Sequence, residues 1–188
     1  MPRKVDHQER RTQIADALMR VAAEQGLEAV SLRHVAAEAG VSAGMVQHYF
    51  RTKDEMMTFA LDVVRDRGEA RVTAAVRALG ADPAPRLLLR TLLTALLPLD
   101  EESRADGRVA LAFLAYTAVR PQTAPALREG TAQMVGFISS LLPGGNEAGA
   151  AGVLALMEGL GVYLLGGQYT NEEAEAALDA HLDLLFGE

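Results

Sequence analysis

The sequence predicts an all-α protein, and three observations carry that prediction. Apolar residues recur at i, i+3, i+4 and i+7 through most of the chain, and no alternating run of useful length appears. Alanine and leucine dominate the 49% hydrophobic content while aromatic residues reach only 5%, a composition suited to close helix–helix packing. Glycine, proline and capping residues punctuate the chain at helix-length intervals. About nine helices are expected, in an N-terminal three-helix domain over residues 1–53 and a larger helical domain over residues 54–188.

The first helix is expected over residues 7–25. Ile14, Leu18, Val21 and Ala22 form its inward stripe, Gly26 ends it, and Arg3 and Lys4 precede it as a short basic arm. The second and third helices lie within SLRHVAAEAGVSAGMVQHYFRTK, residues 31–53. Ser31 is a good N-cap, and Leu32, Val35, Ala36 and Ala39 follow at helical spacing. Gly40 stands where that face ends, in a position suited to positive φ. Ser42 caps the next helix, in which Val46 and Phe50, four apart, point inward. Ser42, Ala43, Gly44, Gln47 and His48 are left facing out. A helix with such small residues at its start approaches another surface closely, which is the geometry of a helix-turn-helix that presents its second helix to a DNA major groove.

The fourth helix begins at Thr52, where Thr52 and Glu55 fit a capping box, and runs toward Leu79 and Gly80. The loop GADPAP, residues 80–85, is the clearest break in the second half. The fifth helix, residues 86–97, has leucine on nearly every side and is expected to be central and largely buried. The acidic connection 98–103 overlaps the start of a sixth helix spanning 101–119. A seventh covers 123–142 and an eighth 147–165. Thr170 and Glu173 supply another capping box ahead of a ninth helix that ends near Phe186.

The run GVSAGMVQHYFRTKDEMM, together with the amphipathic helix before it, resembles the DNA-binding domain of the TetR family of bacterial transcriptional regulators. Its glycine–valine–serine turn, closing tyrosine–phenylalanine pair and lysine at the next helix start are the features that match. The chain's ending resembles the C-terminal domain of the BetI-like subgroup. The resemblance implies a homodimeric repressor that binds a double-stranded DNA operator and is released by a small-molecule effector; a cytoplasmic location fits the lack of cysteine, and no cofactor or metal is expected. It also implies that the fourth helix transmits a ligand-driven shift, and that the last two helices make the dimer.

Residue chemistry assigns roles within that expectation. A glutamine amide pairs bidentately with adenine, so Gln47 is the expected base reader, with Ala43 offering a methyl, Gly44 allowing close approach, and Ser42 and His48 nearby. Ser31, Arg33, Tyr49 and Lys53 are placed for phosphates, which set register without reading sequence. Phe113, Tyr116, Met134, Phe137, Met157 and Tyr163 supply apolar surface for a cavity among helices four to eight. Arg90 and Glu158 are ionisable groups within apolar runs, and unpaired burial of either is costly. They either pair, face a ligand, or face the dimer. For the dimer face, Leu154, Gly161, Leu165, Leu178, His181, Leu182 and Leu185 are expected. Gly149, Gly152, Gly159 and Gly161 in the eighth helix suggest close helix contact that offsets roughly 1 kcal/mol each.

Charge supports the division. Net charge is −7, yet residues 1–53 hold eight Lys/Arg against six Asp/Glu, and the remainder holds ten against nineteen. The absence of cysteine removes a disulfide framework and thiolate metal sites. The polar N-terminus lacks a signal-peptide core, and the apolar stretches 87–99 and 109–119 are too short or interrupted to span a bilayer. The four histidines are scattered, and His34 with Glu38 forms the one pair at ligand spacing, expected to be an exposed i, i+4 contact. No phosphate-cradling loop or nucleophile–base motif suggests an enzyme. The other classes compatible with the sequence are a DNA-binding regulator without a ligand switch and an α-helical enzyme or carrier.

Overall fold

The computed structural model describes residues 7–26, 29–119 and 124–187, with side chains from residue 127 onward in the last stretch. Within them the helices are α1 (His7–Gln25), α2 (Leu32–Glu38), α3 (Ala43–Tyr49), α4 (Lys53–Arg77), α5 (Pro85–Leu96), α6 (Glu101–Ala118), α7 (Ala124–Leu141), α8 (Glu147–Leu165) and α9 (Asn171–Phe186). No strand occurs among the described residues. The expected basic arm at Arg3 and Lys4 and the expected start of the seventh helix at Thr123 lie outside them.

The chain forms two compact units. The first comprises Met1–Arg67 with Arg108–Tyr116, and the second Gly68–Gly107 with Thr117–Glu188. In the first, Ile14, Leu18, Val21 and Ala22 of α1 pack with Val35, Ala36, Val46 and Phe50, and the same core takes in Met56, Met57 and Ala60 from the first turns of α4. Arg67 pairs with Asp16 at 2.6 Å, tying α4 back to α1. Tyr116, expected to line a cavity, instead packs with Phe113 against this core and donates its hydroxyl to Asp54.

The start of α4 departs from the expected capping box. The Thr52 hydroxyl accepts from the Glu55 N–H at 3.1 Å, but the Glu55 carboxylate accepts from the Arg51 N–H at 2.9 Å. The two donors are satisfied by the same pair of residues with the loop drawn in one position further. Glu38 likewise bonds Arg20 rather than His34, whose Nδ1 lies 2.7 Å from the Ala29 carbonyl. The His34–Glu38 contact is thereby corrected.

In the second unit, Leu89, Leu93 and Leu97 pack with Ile138 and Leu142 of the α7 end, Ala150, Val153, Leu154, Leu160 and Leu164 of α8, and Ala174, Leu178 and Leu182 of α9. Helix α5 is amphipathic rather than buried all round, since Leu87 is exposed. Arg86 and Arg90 lie along the same side as Leu89 and Leu93: Arg86 pairs with Asp183, and Arg90 donates from Nε to Asp179 at 2.6 Å, with its Nη2 3.2 Å from Glu175. Arg90 is therefore engaged by the carboxylates of α9. Complete capping boxes close the starts of α6 (Asp100 with Ser103) and α9 (Thr170 with Glu173). Inside the unit, the buried Asp106 accepts from Arg71 at 2.7 Å, which satisfies a carboxylate whose unpaired burial would be costly.

Helix α8, which lies outside the apolar stretches 87–99 and 109–119, is by length and composition alone apolar enough to cross a bilayer. Its sequence disguises this because Glu158 and four glycines break up the apolar run. Here it packs on α7 and α9 and buries five residues within the unit.

The Arg90–Asp179 pair generates a pH prediction. The Arg90 hydrogen bond holds the Asp179 carboxyl below its ordinary range. A folded-state pKa lowered in this way contributes stability above the unfolded pKa of about 3.9 and loses it as pH falls through the folded value. Asp179→Asn should therefore lower stability by about 1 kcal/mol at neutral pH, as expected of a part-exposed pair. In thermal melts at matched protein concentration, the gap to wild type should close on acidification below about pH 4.

Candidate nucleic-acid interface

The interface is built from the α2–turn–α3 segment. Ser31 accepts from the His34 N–H at 3.2 Å, and this cap starts α2. At the other end, Gly40 N–H donates to the Ala37 carbonyl and Val41 N–H to the Ala36 carbonyl, with Gly40 at φ +67°. This double closure through a left-handed glycine turns the chain within two residues. Ser42 then accepts from the Met45 N–H at 3.1 Å and starts α3 immediately. Replacing Gly40 by a residue with a Cβ would cost roughly 1–2 kcal/mol at that φ.

Two residues hold α3 down: Val46 and Phe50 are both 0% exposed. With that face fixed, helical geometry turns Gly44, Gln47 and His48 outward, while Ser42 and Ala43 stand at the open start of the helix, and all five are exposed. Met45 is exposed as well. Around them, Arg33 is exposed on α2, and Ser31, Tyr49 and Lys53 are half-buried. All nine expected nucleic-acid residues lie within residues 31–53, six of them exposed and three half-buried. Arg51, exposed directly after α3, is an addition to them; its basic side chain beside Lys53 was the available signal.

Gly44 is informative. Its φ is not in the left-handed region, and a Cβ there would meet nothing nearer than Ser42 Oγ at 4.0 Å. Neither backbone conformation nor packing within the chain requires a glycine at this position. What a missing Cβ does provide is room for an external surface to approach the helix backbone.

The expected cavity residues are divided between the two units. Phe113 and Tyr116 belong to the first unit, while Met134 and Phe137 are exposed on α7, Met157 is half-buried against the second core, and Tyr163 is exposed beside Tyr169. Glu158 is exposed rather than enclosed. An open groove of about 780 Å³ in the second unit has a different lining: Thr117, Ala118, Leu127, Arg128, Thr131, Ala132 and Val135.

The expected dimer residues also divide. Leu154, Leu178 and Leu182 lie inside the second unit's own core and offer a partner no surface; Gly161, Leu165, His181 and Leu185 are half-buried. The outward faces carry Ala151, Gly152, Ala155, Glu158, Val162 and Tyr163 on α8, and Ala176, Ala180 and Leu184 on α9. Three of the seven expected residues are thus taken up by the unit's own core, because both faces of each helix are apolar and periodicity alone does not say which faces inward.

Similarity to known proteins follows the same two parts. Residues 14–58 match the model described as bacterial regulatory proteins, tetR family, and residues 85–187 match that of a BetI-type transcriptional repressor, C-terminal. The chain is 31% identical over 193 residues to the HTH-type transcriptional regulator BetI of Burkholderia thailandensis, covering 98% of this chain and 97% of that protein. It is 40% identical over 117 residues to the HTH-type transcriptional regulator PksA of Bacillus subtilis, a match that spans 62% of this chain and 55% of that relative. Among solved structures, a transcriptional regulator from Rhodococcus sp. Rha1 superposes with a TM-score of 0.82 at 36% identity, over 94% of this chain and 96% of that one. A regulator from Saccharomonospora viridis in complex with choline shares the fold, with a TM-score of 0.76 at 20% identity over 94% of this chain and 96% of that one.

Gly44→Ala separates folding from contact. Filling open space in the first turn of α3 should leave thermal stability unchanged or raise it by about 0.5 kcal/mol. Affinity for a duplex selected by the protein from a randomised pool, read by fluorescence anisotropy, should nevertheless fall several-fold.

Proposed function

The chain belongs to the TetR family of bacterial transcriptional regulators, and on that footing we propose that it is a homodimeric repressor. Its two α3 helices read a palindromic operator, and a small-molecule effector releases it. The observation that carries this reading is the exposed, small-residue face of α3 held out by the buried Val46 and Phe50. Gln47 reads a base edge, with Ser42, Ala43, Gly44 and His48 fitting against its neighbours. Ser31, Arg33, Tyr49 and Lys53 contact phosphates and fix the register.

Twofold assembly through α8 and α9 is supported by what those helices leave uncovered. Ala151, Ala155, Glu158 and Val162 recur at 4-3-4 spacing along α8, Ala176, Ala180 and Leu184 at 4-4 spacing along α9, and Leu184 is 81% exposed. Small residues at these intervals suit close helix–helix approach in a four-helix bundle. Gly152 and Gly159 add to the case, since a Cβ at Gly159 would meet nothing in its own chain and one at Gly152 only His181 at 4.0 Å. In such a dimer the α3 helices enter successive major grooves, about 34–36 Å apart or somewhat more.

For the effector, the groove beside α6 and α7 is the candidate site, and its lining is mostly apolar. Thr117 in that lining follows Tyr116, whose hydroxyl holds Asp54 at the start of α4. A ligand that displaces this part of α6 would weaken the Tyr116–Asp54 bond and shift α4. Release requires that it bind the non-DNA-binding state more tightly. Among the described residues no aromatic ring lines this groove, so a quaternary ammonium ligand of the choline type is not favoured here. The cytoplasm, where the chromosome lies, is the proposed site of action.

Selection of bound duplexes from a randomised pool tests the core of this reading: an enriched palindrome is expected, and recovery of no enriched sequence would overturn it. On the selected site, Gln47→Ala should relax preference at one base position per half-site. Lys53→Ala should weaken all sequences alike and reduce the magnitude of the salt slope by about 0.9 for each phosphate no longer neutralised. Leu184→Glu should convert the dimer to monomer by sedimentation and abolish tight operator binding.

A further inference from the structure

We propose that His7 and Arg11 form a clamp on the recognition helix and are positioning residues for operator binding, an inference that rests on the DNA-binding reading above. The two residues stand four apart at the start of α1, so they share one face. They grip consecutive residues at the end of α3. The His7 ring lies 4.7 Å from that of Tyr49, and the Arg11 guanidinium sits 4.9 Å from the centre of the Phe50 ring. Arg11 also reaches α4, where it lies 4.4 Å from the Phe59 ring and 3.9 Å from the Glu55 carboxylate.

The chemistry of Arg11 matches a clamp better than a surface charge. Its side chain is mostly covered, and its Nε is buried without a hydrogen-bond partner among the described residues. Leaving such a donor unmet is unfavourable, and the compensation available is the attraction of the cation to two ring faces. Phe50 and Phe59 are themselves 5.5 Å apart, so the guanidinium closes a three-group cluster drawn from α1, the C-cap of α3 and α4. Glu55, which Arg11 approaches, accepts from the Arg51 N–H in the linker between α3 and α4. The whole short connection between those helices is thereby held from α1.

His7 acts on the other member of the pair. Tyr49 is placed for a phosphate, and its ring meets that of His7 at 4.7 Å in a tilted contact and that of His48 at 5.2 Å in an edge-type one. Fixing that ring fixes where its hydroxyl meets the backbone of the duplex. Helix α3 has only seven residues, too few to hold its direction by its own hydrogen bonds. Its aim depends on the groups packed at its ends. A small error in that aim moves Gln47 off a base edge while leaving phosphate attraction largely intact, so the clamp bears on selectivity more than on general affinity.

The test compares wild type, His7→Ala, Arg11→Met and Arg11→Lys on the selected duplex and on a scrambled duplex of the same length. Helix content is matched by circular dichroism. If wild type shows no preference between the duplexes, the functional reading fails before the clamp is at issue. Given a wild-type preference, His7→Ala and Arg11→Met should each reduce the selected-to-scrambled affinity ratio at least tenfold with an unchanged salt slope. Arg11→Lys should restore part of the ratio, because an ammonium keeps the attraction to a ring face but not the planar stack. His7 is exposed, so His7→Ala decides alone should Arg11→Met fail to fold. A wild-type ratio in the folded variants, an equal loss on both duplexes, or a salt slope reduced by one phosphate's worth would overturn the proposal.

Discussion

Burial of one side chain within a seven-residue helix and of another at its C-cap is the constraint on which the interface depends. Val46 and Phe50 lie in the first unit's core, and once they are placed there the opposite face of α3 has no choice but to point outward. The glycine turn at Gly40 makes that placement reachable, because it reverses the chain quickly enough for α2 and α3 to bury their apolar faces in one core. The outward face is then free to be chosen for contact rather than packing. Its small residues and one amide are consistent with that freedom.

The second unit presents the opposite case. Its helices are apolar on more than one side, and the core can use only one side of each. Helix α8 shows this most clearly: Val153, Leu154, Leu160 and Leu164 face inward while Ala151, Ala155, Val162 and Tyr163 remain outside. An apolar outer face on a helix of that length is unfavourable in water unless something covers it. The proposed second copy of the same chain would satisfy that requirement without any further component. The ion pairs of α5 with α9 fall outside this logic, since they join two helices of the same unit at its part-exposed edge.

Much of the first unit was legible in the sequence because each signal there is local. Ser31, Gly40, Ser42, Val46 and Phe50 each announce a cap, a turn or a buried position by residue type and spacing, and the expected surface set follows from them. The all-α class and the helix boundaries were legible for the same reason. The second unit was less so. Leucine at Leu154, Leu178 and Leu182 looks the same whether it faces its own core or a partner, and aromatic residues at Phe113 and Phe137 give no hint that they lie in different units. Arg90 was recognised as needing a partner, but Asp179 lies far along the chain, and such a pairing emerges only when α5 and α9 are packed. The grip of His7 and Arg11 on Tyr49 and Phe50 was hidden likewise, being a contact between residues some forty positions apart.

Methionine oxidation provides the most direct measurement of the central claim. Met45 on α3 and Met134 on α7 are 39% and 40% exposed, so one is an internal control for the other. With limiting peroxide and peptide mass spectrometry, saturating the protein with its selected duplex should slow oxidation of Met45 strongly and leave Met134 unchanged. Equal oxidation of Met45 with and without duplex would contradict the account, because the face of α3 would then not be the surface that meets DNA.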